Sequence, residues 1–246
     1  MPFDLGLSGI LWMAVAVLIA ALVRGYSGFG FSAMLIAASS LVTNPLNFVA
    51  VVVILETVMS LQSFRQAGPD VDWRRVVWLL AGAAVGLPVG LWFMTAISED
   101  TARAVIATYV LVMCGVLWAG WRLKSEVRGP GNGLAGLVSG LANAPGMGGL
   151  PIAAFFAAQP MQAGVFRATL IAYFPLLDLY SAPLYWWAGL VSWDTLWAAL
   201  IALPLTIAGN WLGSRHFLKT DPQEFRRFAL LLLMSLSILG LVKSVL

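Results

Sequence analysis

Charge is what this chain has least of. Only 10% of its 246 residues are Asp, Glu, Lys or Arg, and 61% are hydrophobic. A soluble domain carries about 25% charged residues, so the polar surface is too small for a fold bathed in water. The composition calls for a polytopic membrane protein with short loops and the lipid bilayer as its surroundings. Cysteine and histidine are almost missing: Cys114 and His216 are single. That excludes a disulfide within the chain and a His/Cys metal cluster, and no metal or cofactor is expected. Cys114 lies in an apolar run and reads as a buried, inert thiol. The net charge of +3 is small, and its basic residues stand singly or in pairs at the ends of apolar runs. They read as topology signals rather than as a nucleic-acid surface. No Lys or Arg precedes Arg24, which argues against a cleavable signal peptide, so the first apolar run is expected to remain as a span. No low-complexity tail and no soluble domain is visible.

Ten apolar segments remain, at about 5–23, 30–43, 46–64, 73–96, 102–121, 132–142, 148–158, 163–187, 193–214 and 225–245. A helix needs about 20 residues to cross the hydrocarbon. The segments 30–43, 132–142 and 148–158 are too short to cross alone. They flank two glycine blocks that echo one another, Gly25–Ser32 and Asn143–Leu150. A second echo is tighter: Gly86, Gly90 and Arg103 recur as Gly209, Gly213 and Arg226, each 123 positions on. Each half therefore holds a broken or re-entrant helical pair followed by three long helices, with a first repeat over 1–122, a linker over 123–131 and a second repeat over 132–246. An odd number of segments inverts the second half. The basic residues agree, because Arg65, Arg74 and Arg75, then Arg122, Lys124 and Arg128, then Arg215, Lys219, Arg226 and Arg227 fall in alternate loops. The loops between carry only Glu99, Asp100 and Asp194. Both termini are then expected outside, with Lys243 a mild exception. Trp73, Trp92, Trp121, Trp186, Trp187, Trp193 and Trp211 mark the segment ends as an aromatic belt.

Paired, glycine-broken helices in two halves of a membrane chain point to a transporter site near the midplane. A helix that starts inside the membrane aims unpaired N–H groups and a partial positive charge at whatever sits there, which suits an anion. Candidate ligands are Arg24, Gly28, Phe29, Gly30 and Ser32 at the first tip, and Asn143, Gly146, Met147, Gly148 and Gly149 at the second. Pro145 and Pro151 reinforce the second break. The bland alternative is close helix packing through small residues. It suits Gly86/Gly90 and Gly209/Gly213 better than the two blocks. Arg24 has two readings, an anion ligand or a side chain that snorkels to the interface. Glu56 and Asp178 lie inside corresponding long helices. Each is a proton-coupling candidate, or else a structural partner for an arginine or an amide. Arg167 reads as an interface anchor, His216 as a solvated interface side chain. Gln62, Tyr26, Tyr173, Tyr180 and Asn210 are secondary candidates for a polar lining.

One enzyme reading competes. Gly25-Tyr26-Ser27-Gly28 matches the Gly-x-Ser-Gly nucleophile motif of rhomboid intramembrane proteases, with His216 as the base it would need. The four-residue match is weak among 24 glycines, and the further rhomboid histidines and asparagine are missing. No catalytic residue is assigned.

Over about 22–245 the chain resembles the TauE/SafE-type sulfite exporter family. The resemblance rests on Gly28-Phe29-Gly30, on the block Asn143-Ala144-Pro145-Gly146-Met147-Gly148-Gly149-Leu150-Pro151, on Arg167-Ala168-Thr169, and on Gly209 to Gly213 with the basic turn after it. The second half matches better than the first. The resemblance implies a two-repeat transporter of the bacterial inner membrane that moves sulfite, sulfoacetate or a related organosulfonate by alternating access. It would place Gly28, Gly30, Gly146, Gly148 and Gly149 around the anion, with Phe29 and Met147 at equivalent tip positions, gating the site or only packing. A passive anion channel and a carboxylate transporter are the alternatives.

Overall fold

The computed structural model describes residues 2–27, 30–64, 70–216 and 222–245. These form α1 (Leu7–Ser27), α2 (Phe31–Ser39), α3 (Val49–Phe64), α4 (Trp73–Ala96), α5 (Glu99–Ala119), α6 (Pro130–Asn143), α7 (Gly149–Ala157), α8 (Ala163–Trp187), α9 (Trp193–His216) and α10 (Pro222–Val245), with no strand among the described residues. Local signals set most boundaries. Ser98 caps α5 by accepting from the Thr101 N–H, and Glu99 and Asp100 fill its first turn, so the helix begins before the apolar run does. Asp72 caps α4 in the same way. Pro130 opens α6 at its first position, where a missing N–H costs nothing. The stretch expected as one span over 46–64 divides into a 3-10 turn over Pro45–Phe48 and the 16-residue α3, because Asn44 caps at that point and accepts from the Leu46 N–H. Among the described residues four helices are long and apolar enough to cross a membrane: Leu7–Tyr26, Trp73–Ala96, Glu99–Ala119 and Trp193–Arg215. The seven belt tryptophans are exposed.

The helices pair in a repeated pattern. α1 packs along α9 as α6 does along α4, α1 meets α2 as α6 meets α7, and α2 touches α10 as α7 touches α5; α3 against α8 and α5 against α10 close the set. Exchanging α1–α5 for α6–α10 maps these pairs onto one another. Glycine makes the two longest contacts possible. A Cβ on Gly90 would sit 2.7 Å from the Leu141 carbonyl oxygen, and one on Gly140 2.6 Å from that of Ala83. Gly82, Gly86 and Gly136 are tighter still in the α4–α6 seam. Gly25, Gly209 and Gly213 do the same between α1 and α9. Without a hydrophobic drive between helices in lipid, this close backbone approach supplies the contact. The packing expected for Gly86/Gly90 and Gly209/Gly213 is what the backbone shows.

Polar networks gather at the two ends of the bundle. At one end the Phe3 N–H donates to Asp194, Lys243 caps the Leu41 carbonyl beyond α2, and buried Arg103 holds the Ser40 carbonyl at 2.8 Å and Glu99 at 2.6 Å. At the other, buried Arg75 pairs with Asp72 at 2.8 Å and Glu126 at 2.7 Å and donates to Gln159 at 3.2 Å. The Leu123 N–H there reaches the Ala158 carbonyl after α7. α2 thus ends beside the start of α5 and α7 beside its end, so the two short helices run in opposite senses along α5. The irregular segment 120–129 is strapped down rather than free. Arg75→Ala is expected to cost about 1–3 kcal/mol, because Asp72 and Glu126 are 34% and 35% exposed and rehydrate in part. Thermal unfolding in detergent checks this against Arg128→Ala. That guanidinium is 80% exposed and 3.7 Å from Glu126, so its loss should leave the midpoint unchanged.

Candidate functional site

The first short helix starts at Gly30, whose φ of +94° suits glycine, and whose carbonyl accepts the Met34 N–H at 3.1 Å. Gly28 and Phe29 lie outside the described residues, as do the side chains of Ser27, Gln62, Arg167 and His216. Ser32 is the second residue of α2. Its backbone N–H and its hydroxyl both lie within electrostatic reach of the Glu56 carboxylate. Arg24 lies within α1 rather than beyond it. It is buried and pairs with Glu56 at 2.6 Å while donating to Ser60 at 3.0 Å. The snorkelling alternative for Arg24 is not what this state shows, since the residue is 8% exposed and its guanidinium is taken up by Glu56 and Ser60.

Asp178 on α8 faces the same cluster. Thr57, next to Glu56 on α3, donates to it at 3.4 Å, and Asp178 lies within electrostatic range of both Glu56 and Arg24. The crossing of α3 and α8 thus brings the two carboxylates together, although sequence position alone left them unmatched. One guanidinium then faces two carboxylates, with Arg24 and Asp178 buried and the Glu56 side chain 13% exposed.

The second tip is built by α6 and α7. Gly146 takes φ +77° and closes the turn by donating to the Asn143 carbonyl at 2.7 Å. The Met147 N–H returns to Ala142 at 2.9 Å, its side chain is fully buried, and its carbonyl accepts from Tyr109 at 3.3 Å. Two hydroxyl struts from α8 hold the turn. Tyr173 donates to Ser139 at 2.9 Å, which donates to the Gly148 carbonyl at 2.8 Å; Tyr185 donates to the Asn143 carbonyl. Gly149 opens α7 under Phe174, where a Cβ would be 3.4 Å from the ring. Pro151 falls in the first turn of α7, where it removes no helical hydrogen bond. The Asn143 side chain lies against Gly148, whose added Cβ would be 2.9 Å from the Asn143 Cβ. Its amide nitrogen is buried with no hydrogen-bond partner. An orphaned buried donor costs about 1–3 kcal/mol unless a ligand takes it. Tyr185 also lies within electrostatic range of Asp178 and Glu56, so it joins the two tips.

Of the secondary candidates, Tyr180 donates to the Ala84 carbonyl at 2.8 Å and ties α8 to α4, while Tyr26 is buried. Sequence reasoning missed Tyr185, Ser139, Thr57 and Ser60. A signal existed for one of them, because Asp178, Ser181 and Tyr185 recur at i, i+3 and i+7 on one helical face. Tyr185 was hidden by Trp186 and Trp187 beside it. Among the described residues no group of three His, Cys, Asp or Glu could hold a metal ion.

The family model described as Sulfite exporter TauE/SafE matches residues 13–240, nearly the whole chain. No curated protein and no solved structure matches it.

Proposed function

The chain belongs to the sulfite exporter TauE/SafE family, a family of membrane transporters of sulfur-containing anions, and we propose that it carries sulfite or a small organosulfonate such as sulfoacetate by alternating access. The two halves, 1–122 and 132–246, act as inverted repeats joined by the strapped linker. Rocking of one against the other exposes the tips alternately to the two faces of a bacterial inner membrane. The basic end around Arg75 faces the cytoplasm. The anion sits at the N-terminus of α7, against Gly148 and Gly149, with Asn143 as side-chain donor. The observation that carries this reading is the Asn143 amide nitrogen, buried and unpartnered beside a helix start that already favours negative charge. Glu56 and Asp178 couple the movement to a proton. A guanidinium and two carboxylates leave one negative charge in excess, which one proton balances.

Thermal stabilisation of the purified protein tests the substrate class. A ligand that binds only the folded state adds about 2.7 kcal/mol at 100 times its dissociation constant. Sulfite, sulfate, sulfoacetate, methanesulfonate, taurine, acetate and chloride are compared at constant ionic strength. A selective shift with sulfite or a sulfonate is expected, and Asn143→Ala should weaken its binding about tenfold, the worth of one donor near 1.4 kcal/mol. Equal shifts with acetate and chloride, or none with any anion, would remove the assignment.

A further inference from the structure

Glu56 occupies the place an anion would take at the first tip. Its carboxylate is 2.6 Å from the Arg24 guanidinium and within electrostatic reach of the N–H and the hydroxyl of Ser32 at the start of α2. These are the donors that the symmetry of the two tips would offer to substrate, and here they are filled from within. The second tip has no such occupant, and its Asn143 donor is free. The two tips are equivalent in construction and opposite in occupancy.

We propose that Glu56 is a tethered competitor for the transported anion: substrate arriving between the tips displaces its carboxylate from Arg24 and Ser32, and Glu56 leaves as the neutral acid with one proton taken from solution. The proposal rests on the anion site described above and deepens it. Charge balances in the exchange. A monoanion enters, one carboxylate becomes a carboxyl, and the guanidinium keeps one negative partner throughout. No bond other than O–H forms and none breaks in the substrate. The surroundings of Glu56 leave few other proton acceptors. α1 brings Arg24, α2 brings only Ser32 and no charged residue, α8 brings Asp178 and Tyr185, and α9 carries no charge between Asp194 and Arg215. Asp178, across from Glu56 beside Thr57, is the other carboxyl of the cluster, and a Glu56 carboxylate set free between it and the arriving anion would be unfavourable without a proton. Uptake of anion and proton together follows from the geometry of one shared cation.

The test is titration calorimetry of the full-length protein in nanodiscs with methanesulfonate, whose single charge does not change between pH 6 and 8. Runs in buffers of different ionisation enthalpy count protons. The wild type is expected to take up about one proton per anion and therefore to bind about 100-fold more weakly at pH 8 than at pH 6. Glu56→Gln is expected to bind about tenfold more tightly than wild type at pH 8, with no proton uptake and no pH dependence. Asp178→Asn should retain the proton uptake. If Glu56→Gln bound more weakly, or kept the wild-type proton count, Glu56 would not be the competitor, while weakened binding in Asn143→Ala would leave the anion site itself standing. Absence of binding by the wild type to methanesulfonate and to sulfite alike would remove both. Should Glu56→Gln fail to fold, the wild-type proton count decides alone, since a value near zero overturns the exchange.

Discussion

Gly136→Ala is expected to prevent stable folding, while Gly115→Ala in the same bundle should stabilise it. A Cβ on Gly136 would run into the Leu79 carbonyl, with the Leu79 Cα 2.7 Å away. The obstacle is backbone on α4, which has no rotamer to move. Overpacking a core costs about 1–3 kcal/mol and occasionally more, and a clash with main chain belongs at the upper end. The cost also spreads, because separating α4 from α6 opens the contacts of Gly82, Gly86, Gly90 and Gly140 together. At Gly115 nothing lies within 4 Å of the added carbon, so removing a helical glycine gains up to about 1 kcal/mol. Unfolding midpoints and the monodisperse fraction in detergent separate the two. Equal behaviour of the two variants would contradict the seam.

Arg24→Ala is expected to cost about 3–5 kcal/mol, the usual penalty for removing one partner of a buried ion pair. The side chains of Arg24 and Glu56 are 9% and 13% exposed, so water cannot replace the guanidinium. Most of the loss comes from stranding the Glu56 carboxylate rather than from the attraction given up. The double variant Arg24→Met with Glu56→Met should recover most of the stability, since well-packed apolar residues often match a buried pair. Transport should stay lost, because the cation that holds either Glu56 or the anion is gone. A double-mutant cycle on the unfolding midpoint reads the coupling. Additive losses would mean that the 2.6 Å contact contributes no more than packing.

Particular residues show why some features were legible. The scarcity of charge decides the bilayer as solvent, because no arrangement of this composition covers a water-exposed surface. Ser98, Asp72 and Pro130 act on their own helix starts, so a local pattern announces them. The echo of Gly86 and Gly90 in Gly209 and Gly213 was readable as packing because a glycine pair four apart has one steric use on a helix face. Arg24 was not legible. It follows a run of apolar residues and precedes a glycine block, which fits an interface position equally well, and its partner is 32 residues away on another helix. Glu56 and Asp178 looked unrelated for the same reason.

What the sequence by itself determined is the class of environment, the helical content, the two short helices at the glycine blocks and the family. Each follows from composition, from period or from a contiguous motif. The tertiary structure alone decided which charges meet. Crossing of α3 over α8 sets Asp178 against the Arg24–Glu56 pair, the Tyr185 strut carries α8 to the α6–α7 turn, and the Asn143 amide is left as a donor without a partner. Burial, rather than residue type, makes those contacts matter, since a charge or an amide has its full cost only where water is excluded.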